Sequence, residues 1–439
     1  SSVADGTPGL AGLPYTGDGV RVAVLDTGFK NHGDLSPAGA FSLVGPQPDD
    51  GYGHGNHVAA IVGGNGSNSA GLYAGVAPNA QVYAVKVLDD FGQGLSSDVI
   101  AGLDHVIKMN QEIWHIRVIN MSLGHPVYEE AEEDPLVQAV EAVWDSGVVI
   151  VCSAGNAGRN GYGTITSPGN SRKVITVGSL TTWGDTVPGN DIVSTFSSRG
   201  PTRFDRFAKP DLIAHGNRVV SAKSNKSYLE KNHPERLITA PGAKNADYYQ
   251  LSGTSMAAAV VSGAVALMLE KDPDLNPDTV KARLMYSATK VDFADVFATG
   301  AGILDIEGAL SLNWDAAQAP SPRVRRDDAT GRLGFEETSI LWGHNKWALA
   351  YLWSDGYLWS DGGVDSDGYL WSDGYLWSDG YLWSDAYLWS DAYLWSDGYL
   401  WSDAYLWSDA YLWSDAYLWS DAYMWSDDTI VADSVLVVD

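Results

Sequence analysis

Ser255 is the residue whose surroundings most suggest chemistry. It stands in Ser252-Gly253-Thr254-Ser255-Met256-Ala257-Ala258, followed by an unbroken small and apolar run to Leu269. A run that is apolar on every face predicts a helix buried on all sides, and the polar Ser, Gly and Thr before it read as the start of that helix. A serine in the first turn sits in the field of the helix N-terminus, where negative charge is stabilised. That position suits a nucleophile whose reaction generates an oxyanion. The same residues would also serve as an ordinary Ser/Thr cap on a core helix.

Asp26 ends a second informative stretch, RVAVLDTG over residues 21–28, an apolar run that reads as a buried strand with a carboxylate at its C-terminal end. Open α/β sheets gather their chemistry at the carboxyl ends of strands, although Asp-Thr-Gly is also turn chemistry. His54 opens HGNHVAAIVGG, which predicts another helix running to Gly64. His57 lies three residues on, near the same face, and would suggest a metal pair. No Glu-x-x-His pattern accompanies it, so a zinc site is set aside and His57 is expected to pack structurally.

The elements that must position these residues alternate. Strands are predicted over 81–89, 116–124, 148–156 and 173–180, with helices over 96–109 and near Pro135–Ser146. This alternation predicts an α/β fold with a mainly parallel sheet and helices on both faces. A further helix over 276–288 starts at Asn276 with Pro277 in its first turn, and the compact region closes near residue 312.

Composition narrows the function classes. The 439 residues allow two or three domains, and no run of about 18 apolar residues stands out as a membrane span. The net charge is −28; residues 351–439 hold seventeen aspartates and no Lys or Arg follows Lys346, which leaves −11 for the first 350 residues. Such a surface argues against nucleic acid as a partner and for divalent cations or a salty exterior. The single cysteine, Cys152, forms no intrachain disulfide and reads as a small core residue. The opening SSVADGTPGL reads as the mature end of a processed chain.

Asp26 in VAVLDTG, His54 in HGNHVA, Asn156 in SAGN and Ser255 in SGTSMA occur in that order at wide separations. With GVAPNAQVYAVKVL (75–88) and KPDL (209–212), they make residues 10–312 resemble a subtilisin-like serine protease, a subtilase, with its doubly wound mainly parallel sheet. The resemblance implies that Ser255 attacks peptide carbonyls, that His54 is its base, and that Asp26 orients His54. It also implies that Asn156 and the Ser255 N–H receive the oxyanion. Substrate main chain would pair with Ser122-Leu123-Gly124 and with the loop Gly92-Gln93-Gly94. Ser153-Ala154-Gly155 and Thr166 would line the first specificity pocket, Thr166 narrowing it. Asp34 matches a calcium ligand of the family, with Asn68 in a partner loop; no cofactor is required beyond such structural calcium. The absent propeptide implies a secreted, self-processed enzyme acting on protein substrates, extracellular or at the cell surface. Three departures from the family pattern, Asn56, Ala259 and His215, remove no catalytic group; Ala259 and His215 are expected to loosen the supporting shell and so lower activity without abolishing it.

After a polar connector over 313–344 a six-residue unit takes over, and thirteen hexads patterned on Tyr-Leu-Trp-Ser-Asp-Gly/Ala run from Tyr351 to Asp428, the only badly degenerate one, over 363–368, keeping the frame. The region 345–439 is therefore expected to be a stacked β-repeat domain, either solenoid-like or a hairpin meander. Because six is even, strand alternation keeps Tyr, Trp and Asp on one face and Leu, Ser and Gly/Ala on the other. Exposed Trp ladders would mark a contact surface: self-association into a filament or layer, or binding to cell wall or glycan. A solvated low-complexity tail is the plainer alternative. The competing function class is a structural assembly protein with a weak or vestigial protease domain.

Overall fold

The computed structural model describes residues 13–326, apart from 113, 184–189 and 292–295, and beyond them only backbone strands between 333 and 438. Val22–Leu25 are buried on both faces, so Arg21–Asp26 forms a central strand, β1, with no solvent side. It pairs in parallel with β3 (Gln81–Lys86) on one side and β4 (Ile116–Met121) on the other. Beyond β3 lies the edge strand β2 (Gly39–Ser42), again parallel. Beyond β4 the sheet continues through β5 (Val149–Ser153) to β6 (Ile175–Thr181), which pairs in parallel with β8 (Leu212–His215). The short β7 (Ile192–Val193) adds antiparallel to β6. The order β2-β3-β1-β4-β5-β6-β7 reverses direction at β1. Chain connections therefore diverge beyond the carboxyl ends of β1 and β4, where such sheets leave a crevice.

Four of the helices pack in pairs. Helix α1 (His54–Gly63) lies against α4 (Thr254–Lys271), and α2 (Ser96–Glu112) against α3 (Pro135–Asp145). Helix α4 is buried from Thr254 to Leu269 and packs on β4, β5 and β6. Its small side chains permit this: a Cβ at Gly263 would stand 2.5 Å from the Val76 side chain. With a mean hydropathy of 1.3 the helix passes for a membrane span by length and composition alone, but 89% of that stretch is buried inside the fold. Helix α5 (Pro277–Ser287) begins as expected, with Asn276 Oδ1 accepting the Thr279 N–H at 2.7 Å. A feature the sequence did not suggest is a small antiparallel sheet, β10 (Leu237–Ile238), β11 (Tyr248–Leu251) and β9 (Val219–Ala222), which carries the chain from β8 to Ser255.

From Trp353 onward the backbone forms strands, most of them four residues long, that pair in parallel with the strand eighteen residues later. Tyr375 pairs with Tyr393, Tyr381 with Tyr399 and Tyr387 with Tyr405, each in a different sheet.

One buried ionic cluster ties this fold to the chain beyond residue 312. Lys209 and Lys281 flank Asp211 at 2.7 and 3.1 Å, all three without exposure, and Ser321 Oγ donates to the same carboxylate at 2.7 Å. Burial alone would raise Asp211, yet the two ammonium groups hold it below the usual carboxylate range. Removing one member of a buried ion group leaves the others uncompensated. Asp211→Ala is expected to lower unfolding free energy by about 3–5 kcal/mol, read from urea midpoints; a loss below about 1 kcal/mol would contradict this reading of the cluster.

Candidate active site

Asp26 sits fully buried at the end of β1. Its Oδ1 accepts the Thr27 N–H at 2.7 Å, and its two oxygens lie 2.8 and 2.9 Å from His54 Nδ1. A carboxylate can only accept, so Nδ1 carries the proton and the lone pair is left on Nε2. Burial alone would depress the imidazole, but the charge and hydrogen bond of Asp26 raise it above its ordinary 6.5, with a smaller contribution from Asp50. The His54 ring is 18% exposed, so its far edge reaches the cleft. Close approach makes this contact: a Cβ at Gly55 would lie 2.3 Å from the Gly28 carbonyl. Only glycine there lets the first turn of α1 sit against the turn that follows β1.

Ser255, 8% exposed, occupies the first turn of α4. Its hydroxyl donates to the Ser122 carbonyl at 3.3 Å, and Ser122 Oγ donates back to the Ser255 carbonyl at 2.9 Å. Asn120 Nδ2 donates to Ser122 Oγ at 2.8 Å and Ser262 Oγ to Asn120 Oδ1 at 2.9 Å. This buried chain fastens the start of α4 to the end of β4. In this conformation no hydrogen bond joins Ser255 to His54; such contacts tighten when substrate binds. Across from Ser255, the exposed Asn156 offers its amide. Its side-chain oxygen accepts both the N–H and the hydroxyl of Thr254, at 3.0 and 3.1 Å. A backbone N–H can face only an acceptor, so the carboxamide orientation is fixed and Nδ2 is the end left for a ligand.

Comparison with known proteins identifies the family to which most of this chain is similar. Residues 17–302 match the family model described as "Subtilase family". The chain belongs to the subtilase family. It is 39% identical over 307 residues to serine protease AprX of Bacillus subtilis (strain 168), covering 68% of each chain. It is 35% identical to subtilisin DY of Bacillus licheniformis over 67% of this chain and 92% of that one. Among solved structures it resembles fervidolysin from Fervidobacterium pennivorans, a keratinolytic enzyme related to subtilisin (TM-score 0.56, 27% identity, 69% of this chain and 45% of that one). A cold-adapted subtilisin-like serine proteinase matches with a TM-score of 0.50 and 30% identity over 66% of this chain and 89% of that one. This subtilase is a serine endopeptidase with the subtilisin-like α/β fold.

The expected substrate-side residues divide. Gly92, Gln93, Gly94, Ser122, Leu123 and Gly124 line one cleft of about 770 Å³ with His54, whose apolar wall includes Tyr52, Leu88, Leu95 and Tyr128. Thr166 lies beside this cleft, wedged between two glycines: a Cβ at Gly124 or at Gly155 would come within 2.8 Å of its side chain. Ser153 and Ala154 are buried next to it at the end of β5.

The three departures from the family pattern are each locally satisfied. Asn56 exchanges two hydrogen bonds with the Lys30 backbone, at 2.7 and 2.8 Å. Ala259 is core, and the buried His215 meets Thr182 Oγ1 at 3.1 Å, burial holding its pKa down to about 4. Asp34, the expected calcium ligand, is held by donors of the protein. Its Oδ1 accepts the Asn68 N–H at 2.6 Å and the Ser67 hydroxyl at 3.3 Å, and its Oδ2 accepts the Tyr248 hydroxyl at 2.6 Å. Positive ends of protein dipoles already surround this carboxylate, where a cation would need oxygen ligands. Among the described residues no cluster of His, Cys, Asp or Glu is suited to a metal. Cys152 is buried in β5, and burial pushes its thiol up to about 12, so it is inert.

His57 packs, as expected, with Nε2 donating toward the Val219 and Tyr249 carbonyls at 3.2 and 3.0 Å. Burial first, and the nearby His54 second, push it down to about 3. An unfolded histidine titrates near 6.5, so between those values the unfolded chain binds a proton that the folded chain refuses. Stability is therefore lost as pH falls below about 6.5. His57→Gln is expected to remove on the order of 2 kcal/mol of the decline between about pH 6.5 and 4.5, measured by urea unfolding at both values; an unchanged decline would refute the assignment.

Proposed function

We propose that this subtilase is a secreted endopeptidase that works through an acyl-enzyme on Ser255. The observation that carries the reading is the pairing of His54 with buried Asp26 at a cleft that His54 shares with Ser122, the residue whose carbonyl accepts the Ser255 hydroxyl. Ser255 turns its hydroxyl from the Ser122 carbonyl toward His54 Nε2, which takes the proton as Oγ attacks a peptide carbonyl. Asp26 holds the tautomer and favours the imidazolium. The oxyanion is received by Asn156 Nδ2 and the Ser255 N–H, aided by the α4 dipole. His54 then protonates the departing amine, and water, activated by the same imidazole, releases the acyl group. The extended substrate adds as a strand to Ser122–Gly124 and Gly92–Gly94. Thr166 beside Ser153-Ala154-Gly155 favours small side chains at the cleaved bond, and the apolar wall favours apolar ones elsewhere.

A fluorophosphonate probe is expected to label wild-type enzyme once and Ser255→Ala not at all. Asn156→Ala is expected to label yet lose about 10²–10³ in kcat, the magnitude known from subtilisin itself. The acid limb of kcat/KM should lie above 6.5, because the raised His54 must lose its proton before it can act as base. Labelling of Ser255→Ala would sink the mechanism.

For the C-terminal part we propose a chain organised as protease (1–312), connector (313–344) and repeat domain (345–439), the last a three-sided parallel β-coil. Pairing at a spacing of three hexads supports a coil over hairpins, since hairpins pair antiparallel. A coil of this kind ends in open strand edges that can template another copy, which favours self-assembly over anchoring to cell wall or glycan. Negative-stain microscopy is expected to find filaments or layers for the full chain and single particles for a chain ending at Asn313. Single particles from both would end the assembly reading.

A further inference from the structure

Asp50, four residues before His54, is fully buried and lies in none of the motifs that define the site. Its Oδ1 accepts the Gly53 N–H at 2.6 Å and the Thr27 hydroxyl at 2.8 Å, and its Oδ2 accepts the Asn56 N–H at 2.8 Å. The Thr27 hydroxyl in turn accepts the Gly55 N–H at 2.8 Å. The backbone N–H groups on both sides of His54 thus end on one carboxylate and on the hydroxyl it holds. Thr27 also gives its own N–H to Asp26, so a single residue joins both carboxylates. Lys86 closes the arrangement from behind: its buried ammonium donates to the Thr27 and Asp49 carbonyls at 2.8 and 2.9 Å and to Asp90 at 2.8 Å.

A neutral Ser or Asn caps a helix about as well as Asp, and a buried charge is costly. A carboxylate here, below an imidazole that already has Asp26, exceeds what capping alone requires. Burial raises the Asp50 acid above its ordinary 3.8, against the donated N–H and O–H groups that favour the carboxylate and with a smaller push upward from Asp26. Its acceptor-only geometry is that of the ionised form.

We infer, on the reading that His54 is the general base, that Asp50 is a positioning residue for hydrolysis: it fixes the first turn of α1 against β1 and adds a second negative charge that favours the His54 imidazolium. The titratable groups around His54 are Asp26 from β1, Asp50 and Tyr52 from the preceding loop, and His57 on α1, with Lys86 and Asp90 behind Thr27. His57 stays neutral at working pH, so the shift tested below belongs to Asp50.

Asp50→Asn keeps the volume and drops the charge. The expected result is a fall of about ten- to a hundredfold in kcat, the cost of slight misplacement, little change in KM, and an acid limb of kcat/KM moved to lower pH. An acid limb that stays in place would overturn the proposal and reduce Asp50 to a plain cap. Should Asp50→Asn not fold, Thr27→Val against Thr27→Ser carries the test. Thr27→Ser is expected to keep the rate, while Thr27→Val loses kcat with its acid limb unmoved, because both carboxylates remain; equal rates in the two would overturn the positioning role. Failure of the underlying mechanism reads differently: the wild-type enzyme itself would then take up no fluorophosphonate at Ser255.

Discussion

The fold depends on one contact above all, the burial of the Asp26 carboxylate against His54. A carboxylate without exposure is tolerated only where donors surround it, and here the donors come from the next residue and from the first turn of another helix. That requirement brings the N-terminus of α1 to the carboxyl end of β1. It also explains why glycine stands at position 55, since any side chain would strike the Gly28 carbonyl. The loop carrying Asp50 is drawn in for the same reason, to satisfy the N–H groups that this close approach takes away from water.

The second half of the site is built on the opposite principle. Helix α4 is held by apolar burial on all sides, which is non-directional and would tolerate small rotations. Direction comes from a line of buried hydrogen bonds, Ser262 to Asn120 to Ser122 to the Ser255 backbone. Each link is unremarkable, but a fully satisfied buried chain has only one arrangement. The consequence is a helix whose first turn is aimed by Ser122, a residue that itself lines the cleft. Thr254 completes the aim by holding the Asn156 oxygen so that only its amide hydrogens face outward.

The protease core and the C-terminal repeat use different physics to specify structure. The core has strands with no solvent face and a reversal in strand order that leaves room at their carboxyl ends. The repeat strands gain register from periodicity, like residue pairing with like at eighteen-residue spacing. The buried Lys209–Asp211–Lys281 cluster, which also holds Ser321, anchors the chain just before this change of regime.

Much of the site was legible in the sequence because residue type and local pattern suffice for it. Asp26 at the end of an apolar run, the helix opened by His54, the all-apolar helix behind Ser255 and the packed His57 are local facts, set by which side chains can be buried in which period. The six-residue repeat was equally plain. What the sequence left open needs partners that meet only in three dimensions. Asn156 is oriented by Thr254, 98 residues away, and Ser255 is fastened by Ser122, 133 residues away. Asp50 carries no local signal, since nothing in its neighbourhood distinguishes a solvated aspartate from one that ends buried beneath a helix. The same holds for Asp34: its residue type suits calcium, and only the fold brings to it the hydroxyl of Tyr248, 214 residues distant. Sequence by itself determined which groups exist and which elements carry them. Tertiary structure alone decided which lone pairs and protons remain free, because hydrogen-bond satisfaction is settled by neighbours in space.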